Sequence, residues 1–236
     1  MGKYLASMQH TSKPRRRGRG SSRLSSLRLA SGIFIAAFLS SLSASAEDPK
    51  PKPENTIVVQ IGDPVPVPKL AGSPKFWIAD VIDRSANPQP ELVMKARGGI
   101  FLDRQPAVIV RQALEQSLKA SNLLAADANS ADLIVKIYVF QFGLAQGSGL
   151  DFFGKVEFAA MVKNPKSGES VEVKAAGTSI AKAAAWKKNI EKNVQEDIEV
   201  SLRDALRNFL RGQQLKDAVG DLTKDSAAAP AAAPNP

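Results

Sequence analysis

The sequence contains no cysteine and one histidine, His10, among its 236 residues. Without thiols the chain forms no disulfide, so its hydrophobic core must stabilise the fold. Neither residue type occurs after residue 46. This excludes nucleophiles activated by histidine, zinc sites with the usual ligands, haem and iron–sulfur clusters. We predict a protein that is not an enzyme and that has no catalytic residue, no cofactor and no metal site.

Acidic residues are missing from the first 46 residues, which hold eight of the 32 lysines and arginines. An apolar stretch over residues 29–42 follows this basic segment, and small residues then lead to Ala46, before the acidic Glu47. This order is typical of a secretory signal peptide. We predict cleavage between Ala46 and Glu47, because the apolar stretch is shorter than the ~20 residues that span a bilayer. An uncleaved signal anchor is the alternative.

The rest of the chain is almost neutral, with 24 basic and 23 acidic residues. This balance argues against a nucleic-acid-binding surface. Proline alternates with charge at the start of the mature chain, and alanine and proline dominate its end. Such segments have little to bury. We predict a signal peptide over 1–46, a spacer over 47–56, one domain over 57–220 and a disordered tail over 221–236.

Hydrophobic periodicity within the domain predicts five strands and two amphipathic helices. The strands cover 56–61, 76–82, 133–142, 155–163 and 171–175, and the helices cover 106–121 and 190–210. The proline-rich segment 63–68 is limited to an edge or an irregular path. We predict an α+β two-layer sandwich in the order β-α-β-β-β-α. Its mainly antiparallel sheet has about four to five strands, with two helices on one face.

The strand 133–142 is apolar on both faces. Tyr138, Phe140 and Phe142 alternate with the other apolar residues, so helices on one face leave one set uncovered. One interpretation covers this set with the N-terminal segment or with Trp186. The other interpretation makes it a surface for a partner or ligand. Phe152 and Phe153 either contribute to this surface or are the first buried residues of the next strand.

Two Asp-Arg pairs and one further acid remain as candidates for chemistry. Asp83-Arg84 ends a predicted strand and Asp103-Arg104 precedes a helix, while Asp80 lies within an apolar strand. These carboxylates could bind a cation or transfer protons. We favour a structural role, in which the acids cap a turn and a helix start and the arginines are solvated or paired. The glycine-rich segment 143–154 lacks a phosphate-binding signature and is predicted to be a mobile hairpin loop.

Five stretches, in their order along the chain, resemble the YajG-like family of small bacterial envelope lipoproteins. They are residues 78–84, 108–118, 131–137, 154–160 and 200–210. The resemblance implies an α+β envelope protein without established catalytic residues. The chain differs from the family in having Glu47 where a lipoprotein has its lipid-bearing cysteine, so we expect a soluble periplasmic protein.

These observations favour an exported, non-catalytic cell-envelope protein that acts as a binding module in the periplasm. Its expected partner is an envelope protein of unknown identity, with no nucleic acid and no stable membrane span in the mature form, and self-association is left open. The alternative is a carrier of a small apolar or lipid ligand between the sheet and the helices. An enzyme using Asp80, Asp83 or Asp103 is a third hypothesis.

Overall fold

The computed structural model describes residues 54–95, 99–146, 152–179 and 189–224. The predicted signal peptide, most of the spacer and Trp186 lie outside these residues. The described part contains seven strands and three helices. They are β1 Thr56–Ile57, β2 Phe76–Asp83, β3 Leu92–Met94, β4 Ile100–Leu102, α1 Pro106–Ala120, β5 Leu133–Gln146, β6 Phe152–Lys163, β7 Ser170–Thr178, α2 Ile190–Arg211 and α3 Gln213–Lys224.

A four-stranded sheet with the order β2-β5-β6-β7 forms one layer of the fold. The strands β5, β6 and β7 are an antiparallel meander, whereas β2 pairs with β5 in parallel, and α1 lies between these two strands in sequence. Parallel neighbours need such a crossover, and antiparallel ones need only a turn. The predicted α+β class is confirmed. The predicted order β-α-β-β-β-α is also confirmed for this sheet together with the helices α1 and α2.

One face of the sheet carries the core. Its inward residues from β2, β5 and β6 pack with α1 and α2, whose apolar residues recur at helical spacing. At the centre, the rings of Phe158 and Phe209 lie 5.6 Å apart in an edge-to-face arrangement. Pro106 opens α1, where its missing N–H breaks no helical hydrogen bond. Gly212 follows the last residue of α2, as predicted.

Several elements were not predicted from the sequence. The three-residue strands β3 and β4 pair with each other, and β4 also pairs with β1. The helix α3 contains four residues of the predicted tail, and its Leu222 side chain is buried. The strands β5 and β6 extend into the glycine-rich segment predicted as a loop, where Gln146 pairs with Phe152.

The N-terminal segment 58–70 has no regular structure and lies against α1 and α2. The predicted strand 56–61 is reduced to Thr56–Ile57. Val65 donates its backbone N–H to Ser117 Oγ of α1 at 3.1 Å, and Val67 donates to Ser121 Oγ at 3.2 Å. The interpretation in which this segment covers the uncovered face of the sheet is therefore wrong, because it packs on the helices.

Candidate functional site

A β-bulge in β5 decides which aromatic side chains face outward. Pairing between β5 and β6 shifts between Val139 and Gln141, so the strand contains one extra residue there. The extra residue reverses the alternation of side chains beyond it. Phe142 consequently joins the hydrophobic core with 9 % of its surface exposed, whereas Phe140 remains 45 % exposed. The prediction that Phe142 shares a face with Tyr138 and Phe140 is wrong for this reason.

The face of the sheet opposite α1 and α2 is named here the Phe140 face. Its larger apolar members are Trp77, Ile82, Ile134, Tyr138, Phe140, Phe153 and Met161. They follow from the alternation of strand residues between faces and from the register of the four strands. All of them are half-buried except Phe140, which is exposed.

Tyr138 lies in the middle of the Phe140 face between two cations. The guanidinium carbon of Arg84 is 5.5 Å from the centre of the Tyr138 ring, and Lys136 Nζ is 5.7 Å from it. Both distances allow cation–π attraction. Lys136 also lies 3.9 Å from a carboxylate oxygen of Asp80. These contacts place two cations and a carboxylate around the Tyr138 ring.

Phe140 stands between two depressions of the surface. One has a volume of about 470 Å³ and is bordered by Phe140, Glu157 and Lys174. The other, of about 210 Å³, lies between Phe140 and the loop that carries Asn87. An exposed ring with hollows on either side can insert into a partner while the partner's side chains enter the hollows.

The two phenylalanines at the start of β6 have different surroundings. Phe152 packs against the core, and Phe153 belongs to the Phe140 face, as does Lys155 two residues later. Phe152 therefore fits the interpretation as a first buried residue of the strand, and the role of Phe153 as a contact stays a prediction. Lys155 pairs with Glu157 at 2.9 Å and Lys174 with Glu172 at 3.6 Å, so this part of the face carries charges of both signs.

The candidate carboxylates have structural partners in different places. Asp83 Oδ1 accepts the Ser85 backbone N–H at 2.7 Å and so caps a turn. Asp103 pairs with Arg104 at 2.9 Å, and Arg104 donates to the Val59 carbonyl at 2.8 Å, which ties the N-terminal segment to the start of α1. The N-cap of α1 is Gln105 and makes no side-chain cap hydrogen bond, so the prediction that Asp103 caps the helix start is wrong. Asp80 lies on the Phe140 face. Among the described residues, no three acids, histidines or cysteines are grouped so that they could hold a metal ion.

A buried polar cluster joins α2 to the sheet and was missed in the sequence. Ser179 Oγ donates to Asp197 Oδ1 at 2.7 Å and accepts the Gly154 backbone N–H at 3.0 Å. Asp197 Oδ2 is buried and has no hydrogen-bond partner. Burial of the carboxyl group raises the pKa of Asp197 above its usual value, and the neighbouring Glu196 charge adds to the increase. Nothing in the sequence separates Asp197 from the other acids of α2.

The layer between the sheet and the helices is occupied by side chains of the core, among them Phe158, Ile198 and Leu210, each at most 1 % exposed. The described residues therefore give no support to the hypothesis that the protein carries an apolar ligand, and this hypothesis stays a prediction. The three helices of the described part include none that is both long and apolar enough to cross a membrane.

Comparison with known proteins finds similarity only among solved structures. No family model matches the chain, and no curated protein matches it. It is similar to XCC0632 from Xanthomonas campestris, of the family DUF330, at 11 % identity and a TM-score of 0.45, covering 73 % of this chain and 97 % of the other. For lipoprotein GNA1162 from Neisseria meningitidis the identity is 16 %, the TM-score 0.24 and the coverage 52 % and 97 %. The PelC dodecamer from Paraburkholderia phytofirmans is 15 % identical with a TM-score of 0.32, and the similarity covers 57 % of this chain and 90 % of the other.

Proposed function

We propose that this chain is an exported, non-catalytic protein of the bacterial cell envelope, and that it binds a partner protein through the Phe140 face. The observation that carries the proposal is the β5 bulge, which keeps Phe140 45 % exposed on a sheet whose other face packs against helices. Bulges are enriched where a strand re-aims a side chain for function. The basic leader and the resemblance to YajG-like envelope proteins support export.

The chemistry of the face favours a protein partner. Exposed aromatic rings near the centre of a surface, with arginine close by, are the composition of binding hot spots. The surrounding ion pairs, such as Lys155 with Glu157, form a polar rim that a partner surface can meet with opposite charges. Tyr138 is held in place by Arg84 and Lys136, so binding does not have to order its ring.

Photo-crosslinking in cells tests which surface binds. A photoreactive amino acid is placed at position 140, and the control places it at position 200, because Val200 is 53 % exposed on α2 in the opposite layer. We expect one specific adduct from position 140 that is missing from position 200. Equal adducts from both positions, or none from position 140, would contradict the proposal.

Truncation of the ring measures its contribution. We expect Phe140→Ala, in a protein without the photoreactive group, to lower the recovery of the partner identified by crosslinking by about tenfold, corresponding to ~1.4 kcal/mol, as for an interface hot spot. Val200→Ala removes a similarly exposed apolar side chain and should leave recovery unchanged. Thermal unfolding of both variants checks that the fold is retained.

Export is tested separately by fractionating cells and sequencing the N-terminus of the protein. The expected result is a periplasmic form that begins at Glu47. Full-length protein in the cytosol would contradict the proposed location while leaving the binding surface open to test.

A further inference from the structure

The segment 58–70, named here the strap, occupies a groove between α1 and α2 without forming a strand. Its apolar side chains Val59, Val65 and Leu70 are each at most 5 % exposed. Their burial is a contribution to the core that the helices alone do not supply.

Side chains of α1 and α2 bind the strap's backbone. Gln60 donates its N–H to Glu199 Oε1 at 2.7 Å, Val65 donates to Ser117 Oγ at 3.1 Å and Val67 donates to Ser121 Oγ at 3.2 Å. Ser117 is 1 % exposed, which is unusual for a serine unless its hydroxyl is satisfied. The groove therefore recognises an extended segment with this spacing of apolar side chains and free N–H groups.

A short exposed turn connects the strap to β2. Ala71, Gly72 and Ser73 are exposed, and Ser73 donates its N–H to the Leu70 carbonyl at 3.1 Å to close the turn. Gly72 and Ser73 both have positive φ angles, 71° and 47°. Glycine adopts this left-handed conformation freely, but a serine there is strained.

Lys75 is fixed directly beyond this turn. Its backbone N–H donates to Asp132 Oδ2 at 2.9 Å, and its Nζ donates to the Asn122 carbonyl at 2.6 Å. The conformational freedom of the connection is thus limited to residues 71–74. Straightening the turn would carry the strap away from its own groove without disturbing β2.

We propose that the groove between α1 and α2 also accepts the strap of a second copy of this chain, so that two copies exchange straps reciprocally. β1 directly precedes the strap and pairs with β4, so it is exchanged together with the strap. A second copy supplies the same residues to β4 and to the groove, so every contact of β1 and the strap is kept in the exchanged dimer. Only the turn changes, and its opening releases the strained conformation of Ser73. Short strained hinges favour this kind of exchange.

Variants of the turn test the proposal by changing only its strain. Ser73→Val places a β-branched side chain at a φ of 47° and should increase the dimer fraction of the purified protein. We expect the dimer dissociation constant to fall by about tenfold or more, measured by light scattering over a concentration series. Ala71→Val is the control, because it adds the same side chain in the same turn at a residue whose φ is not positive. Ser73→Gly should lower the dimer fraction.

A disulfide then reports which chain supplies the strap. The chain has no cysteine of its own, so Val67→Cys combined with Ser121→Cys forms a disulfide only across the strap and α1. In the dimer fraction, oxidation should give covalently linked dimers, whereas in the monomer fraction it should give an internal disulfide. Wild-type and Ser73→Val proteins that stay monomeric at millimolar concentration, or a dimer that forms only internal disulfides, would overturn the proposal. If the cysteine variant fails to fold, the turn variants still decide the outcome.

Discussion

Individual residues acquire their roles from neighbours that are distant in sequence. Asp197 is one of several acids on α2, yet it alone contacts Ser179 across the junction of β6, β7 and the helix. Its second oxygen is buried without a partner, so the charged form of this side chain is disfavoured in the folded state. The folded protein consequently binds a proton at Asp197 more tightly than the unfolded chain does.

The raised pKa of Asp197 makes stability depend on pH. Below its usual pKa of 3.8 the side chain is protonated in both states, and it does not oppose folding. As the pH rises from 3.8 through the higher folded pKa, the unfolded chain loses its proton first, and stability falls. Above this window the penalty is complete. We therefore expect Asp197→Asn, which removes the charge and keeps an oxygen that accepts from Ser179, to gain stability relative to wild type as the pH rises through this window.

Urea unfolding from pH 3 to pH 7 measures this effect. The gain of Asp197→Asn over wild type should be small at pH 3 and should increase with pH. Asp204→Asn is the control, because Asp204 lies on the same helix and faces Arg207 at 3.9 Å. A constant difference between Asp197→Asn and wild type at all pH values would show that the carboxyl group does not titrate differently on folding.

At the scale of elements, glycines allow α2 to approach the sheet. A Cβ at Gly177 of β7 would collide with backbone atoms of Ser201 and Ala205, and one at Gly154 of β6 would collide with the Asp197 carbonyl. The sequence predicted Gly154 to lie in a glycine-rich loop, and its role in helix packing depends on contact with Asp197 of α2, which lies 43 residues further along the chain. The contact brings Asp197 within reach of Ser179.

Gly177→Ala should destabilise the protein by about 3 kcal/mol, because neither backbone can move aside without disrupting the sheet or the helix. The control is Gly220→Ala on α3, where an added Cβ meets nothing within 4 Å. That variant should gain up to about 1 kcal/mol from the higher helix propensity of alanine. Chemical unfolding of both variants at pH 7 gives the two free energies. Equal effects would mean that α2 does not pack as closely on β7 as described.

The free edge of the sheet is also an element that needs protection. Asn208 donates to the Ala176 carbonyl of β7 at 2.7 Å, and Gln214 accepts the Lys174 backbone N–H at 3.4 Å. Both partners come from the helical layer. Edge strands with unpaired backbone groups tend to pair with other chains, and these bonds remove two such groups.

At the scale of the whole molecule, the domain extends further than its composition indicates. The periodic residues Leu215, Val219 and Leu222 of α3 are buried, and Asn164 Nδ2 donates to the Leu222 carbonyl at 2.6 Å. This bond connects the last helix of the described part to the turn between β6 and β7. The boundary predicted after residue 220 would cut through α3.

Two truncations distinguish these boundaries. A chain that ends at Gly220 loses the buried Leu222 and its bond with Asn164, so we expect a loss of about 3 kcal/mol in the free energy of unfolding. A chain that ends at Lys224 keeps both contacts and should be as stable as the full-length protein. Similar stability of the two truncated proteins would show that the final turn of α3 contributes nothing to the fold.

The sequence alone determined the elements whose pattern is local. Period-two alternation in β6 and β7 and helical spacing in α1 and α2 identified the two layers, because each pattern records which side of one element is buried. It also excludes sites that need cysteine or histidine from the residues after 46. The sequence pattern does not reveal the bulge at Val139–Gln141. A single extra residue looks like continued alternation until the register with β6 is known.

Tertiary structure therefore decided the features on which the site depends. In the folded protein Phe142 lies in the core and Phe140 lies outside it. The strap packs on the helices, and Asp197 accepts a hydrogen bond from Ser179. Each depends on a contact between residues far apart in sequence, where packing in three dimensions overrides the local pattern.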